Sequence, residues 1–303
     1  GDSFPGSRPD RCLRVGAVVL AGASLWYVPW MLASLNPHAL WLAWPFALAN
    51  LFTVAAGLLS VAVAAGFGLT FTYVLGGVTV ASPLIDATAA GLPLHIVAGL
   101  GGWLTFTAMG VSYRLLAMFM LAPEEKRPTS VAALWGGIAV LLLAIAGGYI
   151  AILLKRDLAP VLTAAALLAV PVLALYGYDV AGLYRRRKRR KLETNSMMAA
   201  PALASLGLAA LLAVVLLALG ELPRFAGAII YLLAFGWLSG LGLAQLYKII
   251  AFVTWLECYG PVLGKTPTPR VQDLVVERRA RKWFYLYFAA VWLGALALLA
   301  ERP

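Results

Sequence analysis

Apolar residues in this chain neither alternate nor form narrow stripes. They run almost unbroken for long stretches and then give way to short segments marked by Pro, Gly or charge. Runs of about 20 residues, rising about 1.5 Å each, match a hydrocarbon core about 30 Å thick. Taking the polar and Pro/Gly breaks as boundaries predicts helices over 13–35, 39–62, 68–88, 93–121, 131–154, 160–183, 198–219, 225–250 and 283–300. The fold class is therefore all-α, a polytopic transmembrane bundle of about nine helices forming one domain over 1–303. The second and third helices are the hardest to separate, because no charge falls between Leu40 and Ala81. One helix over that stretch would be roughly 60 Å long, so a turn is expected near "AAGFG", with an eight-helix bundle as the alternative. The only sizeable loop, 259–282, reads as a cytoplasmic connector.

Composition agrees with the pattern. A hydrophobic fraction of 62% against a charged fraction of 12% is outside the range of soluble globular chains, which must cover their surface with polar groups. The net charge of +11 raises nucleic acid as a partner, but "YRRRKRRK" abuts an apolar helix, where a basic run fixes topology and meets anionic lipid head groups. Lipid bilayer is the expected partner and nucleic acid is not. With the N-terminus cytoplasmic, eighteen Lys and Arg fall in inner segments: Arg8, Arg11, Arg14, Lys126, Arg127, the seven residues of 185–191, Lys265, Arg270, Arg278, Arg279, Arg281 and Lys282. Four fall outside, namely Lys155, Arg156, Arg224 and Arg302. The apolar run from Leu13 to Leu35 is too long for the core of a cleaved signal peptide, so it is expected to stay in a bacterial-type inner membrane. Cys12 and Cys258 both fall on the inner side, which suggests neither a disulfide nor a Cys metal site.

The chain has two histidines, and each follows a proline at the head of an apolar run, in "NPHAL" and "LPLHI". Asn36, Pro37 and His38 read as N-cap and first helical residues, and Pro93 with His95 repeats the arrangement. In the nine-helix topology both helices run from the outer face inward, so His38 and His95 lie at similar depth, as two ligands of one metal or one haem iron would. Gly99 and Gly102 follow His95 on the same face and offer a flat surface for a macrocycle. Small residues also let membrane helices approach closely, and an interfacial histidine can simply bond lipid, water or a carbonyl. Three readings stand: a b-type haem between the two histidines, a copper site to which Met31 would add a soft ligand, and interfacial polar residues. Met109, Met118 and Met120 read as core. Asp179 in "GYDVAG" reads as an ion pair with the adjacent basic run, and Lys248 and Arg114 as residues that reach to water near helix ends.

Two stretches carry a family resemblance. "LHIVAGLGGWLTFTAMGVSYRLLAMFML" resembles the histidine-led helix with "GW-[LV]-T" and a terminal "Y-x-L-x-P-M-F" found in short membrane proteins related to haem-copper oxidase subunit I. "LYKIIAFVTWLECYGPVLGKTPTPRVQDLV" is similar to their "YKI-x-PF-x-W" helix end and "YGP…G…P…DL" connector. The resemblance implies a respiratory-type subunit, with other membrane subunits or a periplasmic electron carrier as partners and haem on outer-side histidines, positions that His38 and His95 match. Ala117 and Ala251 stand where those motifs have proline. Two histidines are too few for two haems and a three-histidine copper site, so this chain by itself is not an oxygen-reducing haem-copper oxidase. A cofactor-free accessory subunit and a transporter are the alternatives, the latter suggested only by the interrupted second and third helices.

Overall fold

A computed structural model describes residues 37–78, 81–123 and 127–300, with side chains from residue 56 onward. The chain divides into two compact units, Gly1–Phe52 and Thr53–Pro303. In the first, only helical backbone from residue 37 is described. The predicted helix 13–35, Met31, Cys12 and the side chain of His38 lie outside the described residues.

Every regular element described is helical. In chain order they are α1 (Pro37–Leu75), α2 (Ser82–Ala90), α3 (Leu92–Met120), α4 (Pro128–Leu153), α5 (Ala159–Arg185), α6 (Thr194–Ala218), α7 (Leu222–Val262) and α8 (Glu277–Ala300). Seven of them are long and apolar enough to cross a membrane, α1 through its Ala56–Leu75 part and α3 to α8 along their length. The predicted helices from 93–121 to 283–300 correspond one to one with α3 to α8.

The nine-helix count does not hold. No turn interrupts "AAGFG": α1 continues to Leu75, and the rest of the predicted third helix is the nine-residue α2. Gly66 and Gly68 lack the means to stop a helix in an apolar setting, where an unpaired backbone group costs several kcal/mol. The stop comes at Gly76 and Gly77. There the N–H of Val78 donates to Tyr73 O at 3.1 Å and that of Gly77 to Val74 O at 3.1 Å, with Gly77 at φ +77°. This is the reciprocal closure of a left-handed helix cap, for which glycine has the freedom. The same closure ends α3 at Leu121 and α4 at Lys155, each with φ +52°.

The core lies where α3, α5, α6, α7 and α8 meet, around Leu116, Met120, Tyr176, Met198, Trp237 and Phe288. Met109 belongs to this core too, whereas Met118 is exposed. Small residues permit the close approaches. A Cβ on Gly236 would sit 2.6 Å from Ser205 Cβ, and one on Gly240 2.7 Å from the Phe288 ring. Three stretches wind as π-helix: Val97–Phe106 in α3, Leu143–Gly147 in α4 and Leu232–Ser239 in α7. The first touches both others, so the wider turns meet inside the bundle. Ser239 Oγ also donates to Ala234 O, one wide turn back, at 2.8 Å. The helices run unbroken through Ala117 and Ala251, both buried.

The 259–282 connector is ordered by two short 3-10 turns, Gly260–Val262 and Val271–Leu274. The indole N–H of Trp255 donates to Pro269 O at 2.6 Å, which ties it to α7.

Candidate functional site

His95 sits in the first turn of α3, as its sequence setting predicts, and meets α1 near that helix's C-terminal end. Its Nδ1 lies 2.9 Å from Ala64 O. A carbonyl only accepts, so Nδ1 is the donor here, and in the neutral ring the lone pair is on Nε2. Among the described residues no side chain or backbone group bonds Nε2. Gly68 lies beside the ring: a Cβ there would be in ordinary contact with Cε1 of the imidazole at 3.8 Å, and a side chain longer than that would crowd it. Phe71 completes the setting with its ring centroid 5.7 Å from that of the imidazole, edge to face. The imidazole is half-buried. Next to it, Gly91 joins α2 to α3 with Phe67 so near that a Cβ would fall 2.8 Å from the ring.

The face below His95 is not open. A Cβ on Gly99 would meet Ala64 Cβ at 3.8 Å, and one on Gly102 would fall 2.7 Å from Ser60 Cβ. Gly68, Ala64 and Ser60 of α1 thus oppose His95, Gly99 and Gly102 of α3 in antiparallel order. This is the use of small residues that brings membrane helices together, and α1, not a macrocycle, covers Gly99 and Gly102. The similar depth argued for His38 and His95 rested on a turn near "AAGFG", and that premise falls with the turn.

The other end of the bundle holds its buried charge. Asp179 of α5 is 2% exposed. It accepts hydrogen bonds from Thr129 Oγ1 at 2.6 Å and Tyr113 OH at 3.2 Å, with Arg127 Nη1 3.5 Å away. The expected pairing with the 185–191 run is therefore replaced by one with the α3–α4 connection, because α5 turns Asp179 inward. Gly182, one turn on, leaves room for the Arg127 guanidinium, since a Cβ would lie 2.6 Å from Nη1. Beside this group, Ser112 Oγ and Tyr176 OH share a 2.6 Å hydrogen bond, and Tyr176 stacks edge-on with Tyr113 and Trp237.

A second polar cluster surrounds the start of α6. Glu193 pairs with Arg189 and with Lys248 Nζ at 2.8 Å, so Lys248 is held by a carboxylate instead of reaching to water. Arg281 of α8 pairs with Glu277 at 2.6 Å and donates from Nε to Thr194 Oγ1 at 3.1 Å. Sequence reasoning picked out Asp179 and Lys248 but missed Thr129, Tyr113 and Glu193 as their partners. Only the matching polar interruptions of neighbouring apolar runs hint at them. Arg114 is exposed, and so is the free Cys258. Among the described residues no group of three or more His, Cys, Asp or Glu side chains gathers to hold a metal ion. Neither a known protein-family model, nor a curated protein, nor a solved structure matches the chain.

Proposed function

We propose that this chain is an integral membrane subunit of a redox assembly that takes one b-type haem with His95 as an axial ligand. The observation that carries the reading is the state of the imidazole: the Ala64 carbonyl fixes the Nδ1 proton and the ring's direction, which is the support a metal-ligating histidine receives from its neighbours. Nε2 is left as the donor to iron. Haem bound there would supply a one-electron carrier. The chain's own contribution is to hold the ring through Ala64, Gly68 and Phe71. The family resemblance implies His38 as a second ligand, but with α1 unbroken from Pro37 to Leu75 the premise that set it at the depth of His95 is gone, so His95 alone is proposed. Copper at the same histidine is the alternative metal. In this reading the basic end of the bundle faces the cytoplasm of a bacterial-type inner membrane, by the bias of Lys and Arg toward that side. The haem then lies near the outer face, within reach of a periplasmic carrier or a neighbouring subunit.

The contacts of Gly99 and Gly102 with α1 favour a second reading, an accessory subunit in which His95 only ties α3 to the Ala64 carbonyl. Absorption spectra of the purified protein, oxidised and reduced, separate the two. Sharp reduced-minus-oxidised bands of six-coordinate haem are expected; a protein that stays colourless after reconstitution with haem leaves the accessory reading standing.

A further inference from the structure

At the start of α8 an open groove is lined by Glu277, Arg278, Arg281, Lys282 and Tyr285. These positions recur at spacings of three to four, so they share one face of the helix. Two of the charges are already engaged, because Glu277 pairs with Arg281 and Arg281 is anchored on Thr194. Arg278 and Lys282 are exposed and bond no other described residue. The groove therefore presents three cations against one carboxylate, with its centre rigidly held and its two rims open.

The surroundings say what kind of anion the groove meets. Immediately after Lys282 the exposed residues turn aromatic and apolar: Trp283 is 63% exposed, Tyr285 58% and Leu286 59%. Trp and Tyr concentrate at the level of the lipid head groups, so the cations sit at head-group height and the apolar residues at acyl-chain height. Exposed Arg185, Arg187, Lys188, Arg190 and Lys191 lie at the same end of the bundle, joined to it through Arg189 and Glu193. We infer that this groove is a binding site for the phosphate of an anionic phospholipid, with Arg278 and Lys282 on the phosphate, Arg281 behind it and Tyr285 along the glycerol and upper acyl chain. The phosphate replaces water around two cations that bond no other described residue, and the lipid's chains cover apolar surface that a free anion would leave bare.

Thermal unfolding of the full chain in a neutral detergent tests this, with phosphatidylglycerol, phosphatidylcholine or inorganic phosphate added to the wild type, to Arg278→Ala/Lys282→Ala and to the milder Lys282→Gln. A control, Arg224→Ala, removes a cation from the other end. Phosphatidylglycerol should raise the midpoint of the wild type and of Arg224→Ala well above the phosphatidylcholine value. The double variant should lose at least half of that rise, and Lys282→Gln part of it, with their midpoints in phosphatidylcholine unchanged. Equal rises in all four proteins, or no advantage of phosphatidylglycerol, would overturn the site. A rise of the same size with inorganic phosphate would overturn the assignment to a lipid. If the double variant does not fold, Lys282→Gln with an undiminished rise overturns the proposal by itself.

Discussion

At the scale of single residues, the buried carboxylate of α5 is held by partners that lie far off in sequence. Asp179 collects Thr129, Tyr113 and Arg127 from two other segments. Removing one partner of a buried charge pair costs about 3–5 kcal/mol, because the rest stays buried with its bonds unmade. Asp179→Leu should therefore lower the unfolding midpoint in detergent far more than Tyr113→Phe, which removes one hydrogen bond and costs about 1 kcal/mol. Similar small losses from both variants would mean that water already satisfies the carboxylate. From sequence, Asp179 was visible as a rare charge beside an apolar run, but its partner was not: proximity favoured the basic run next door, and only the direction of α5 decides for Arg127. His95 was legible for the same reason, as a polar residue after a proline, while the Ala64 carbonyl that fixes its tautomer carries no signal in sequence at all.

At the scale of elements, the apolar runs predicted α3 to α8 to within a few residues at most ends, since in a membrane the length of a helix is set by the hydrocarbon thickness and its ends by polar or Pro/Gly residues. The same logic failed between Leu40 and Ala81. An unbroken apolar stretch gives no boundary, and Gly66 and Gly68 serve the approach of α3 instead of a turn. The π-helical stretches escaped prediction altogether, because one additional residue in a turn leaves the apolar pattern intact. The caps offer a clean test. Lys155 closes α4 in the left-handed region with its side chain exposed, a conformation that costs a side-chain-bearing residue roughly 1–2 kcal/mol. Lys155→Gly should accordingly raise stability by about 1 kcal/mol, read as a higher unfolding midpoint. A lower midpoint would show that the lysine contributes through a contact with lipid.

At the scale of the whole molecule, the buried ionic groups gather at one end. Asp179, Glu193, Lys248 and Arg281, with the basic run, occupy one end, and His95 the other. Helices α5 and α6 put the turn at 154–158 and the segment 186–193 on opposite sides of the membrane. A tag inserted after Asp157 should be accessible only from outside the cell and one after Lys188 only from the cytoplasm; access to both from one side would remove a crossing. Whether His95 holds haem is read from the haem content per chain of His95→Ala beside Gly68→Leu. On the haem reading about one haem is expected in the wild type, none in His95→Ala, and a sharp loss in Gly68→Leu, whose side chain would crowd the imidazole. His95→Ala that keeps the wild-type haem content and spectrum would contradict it.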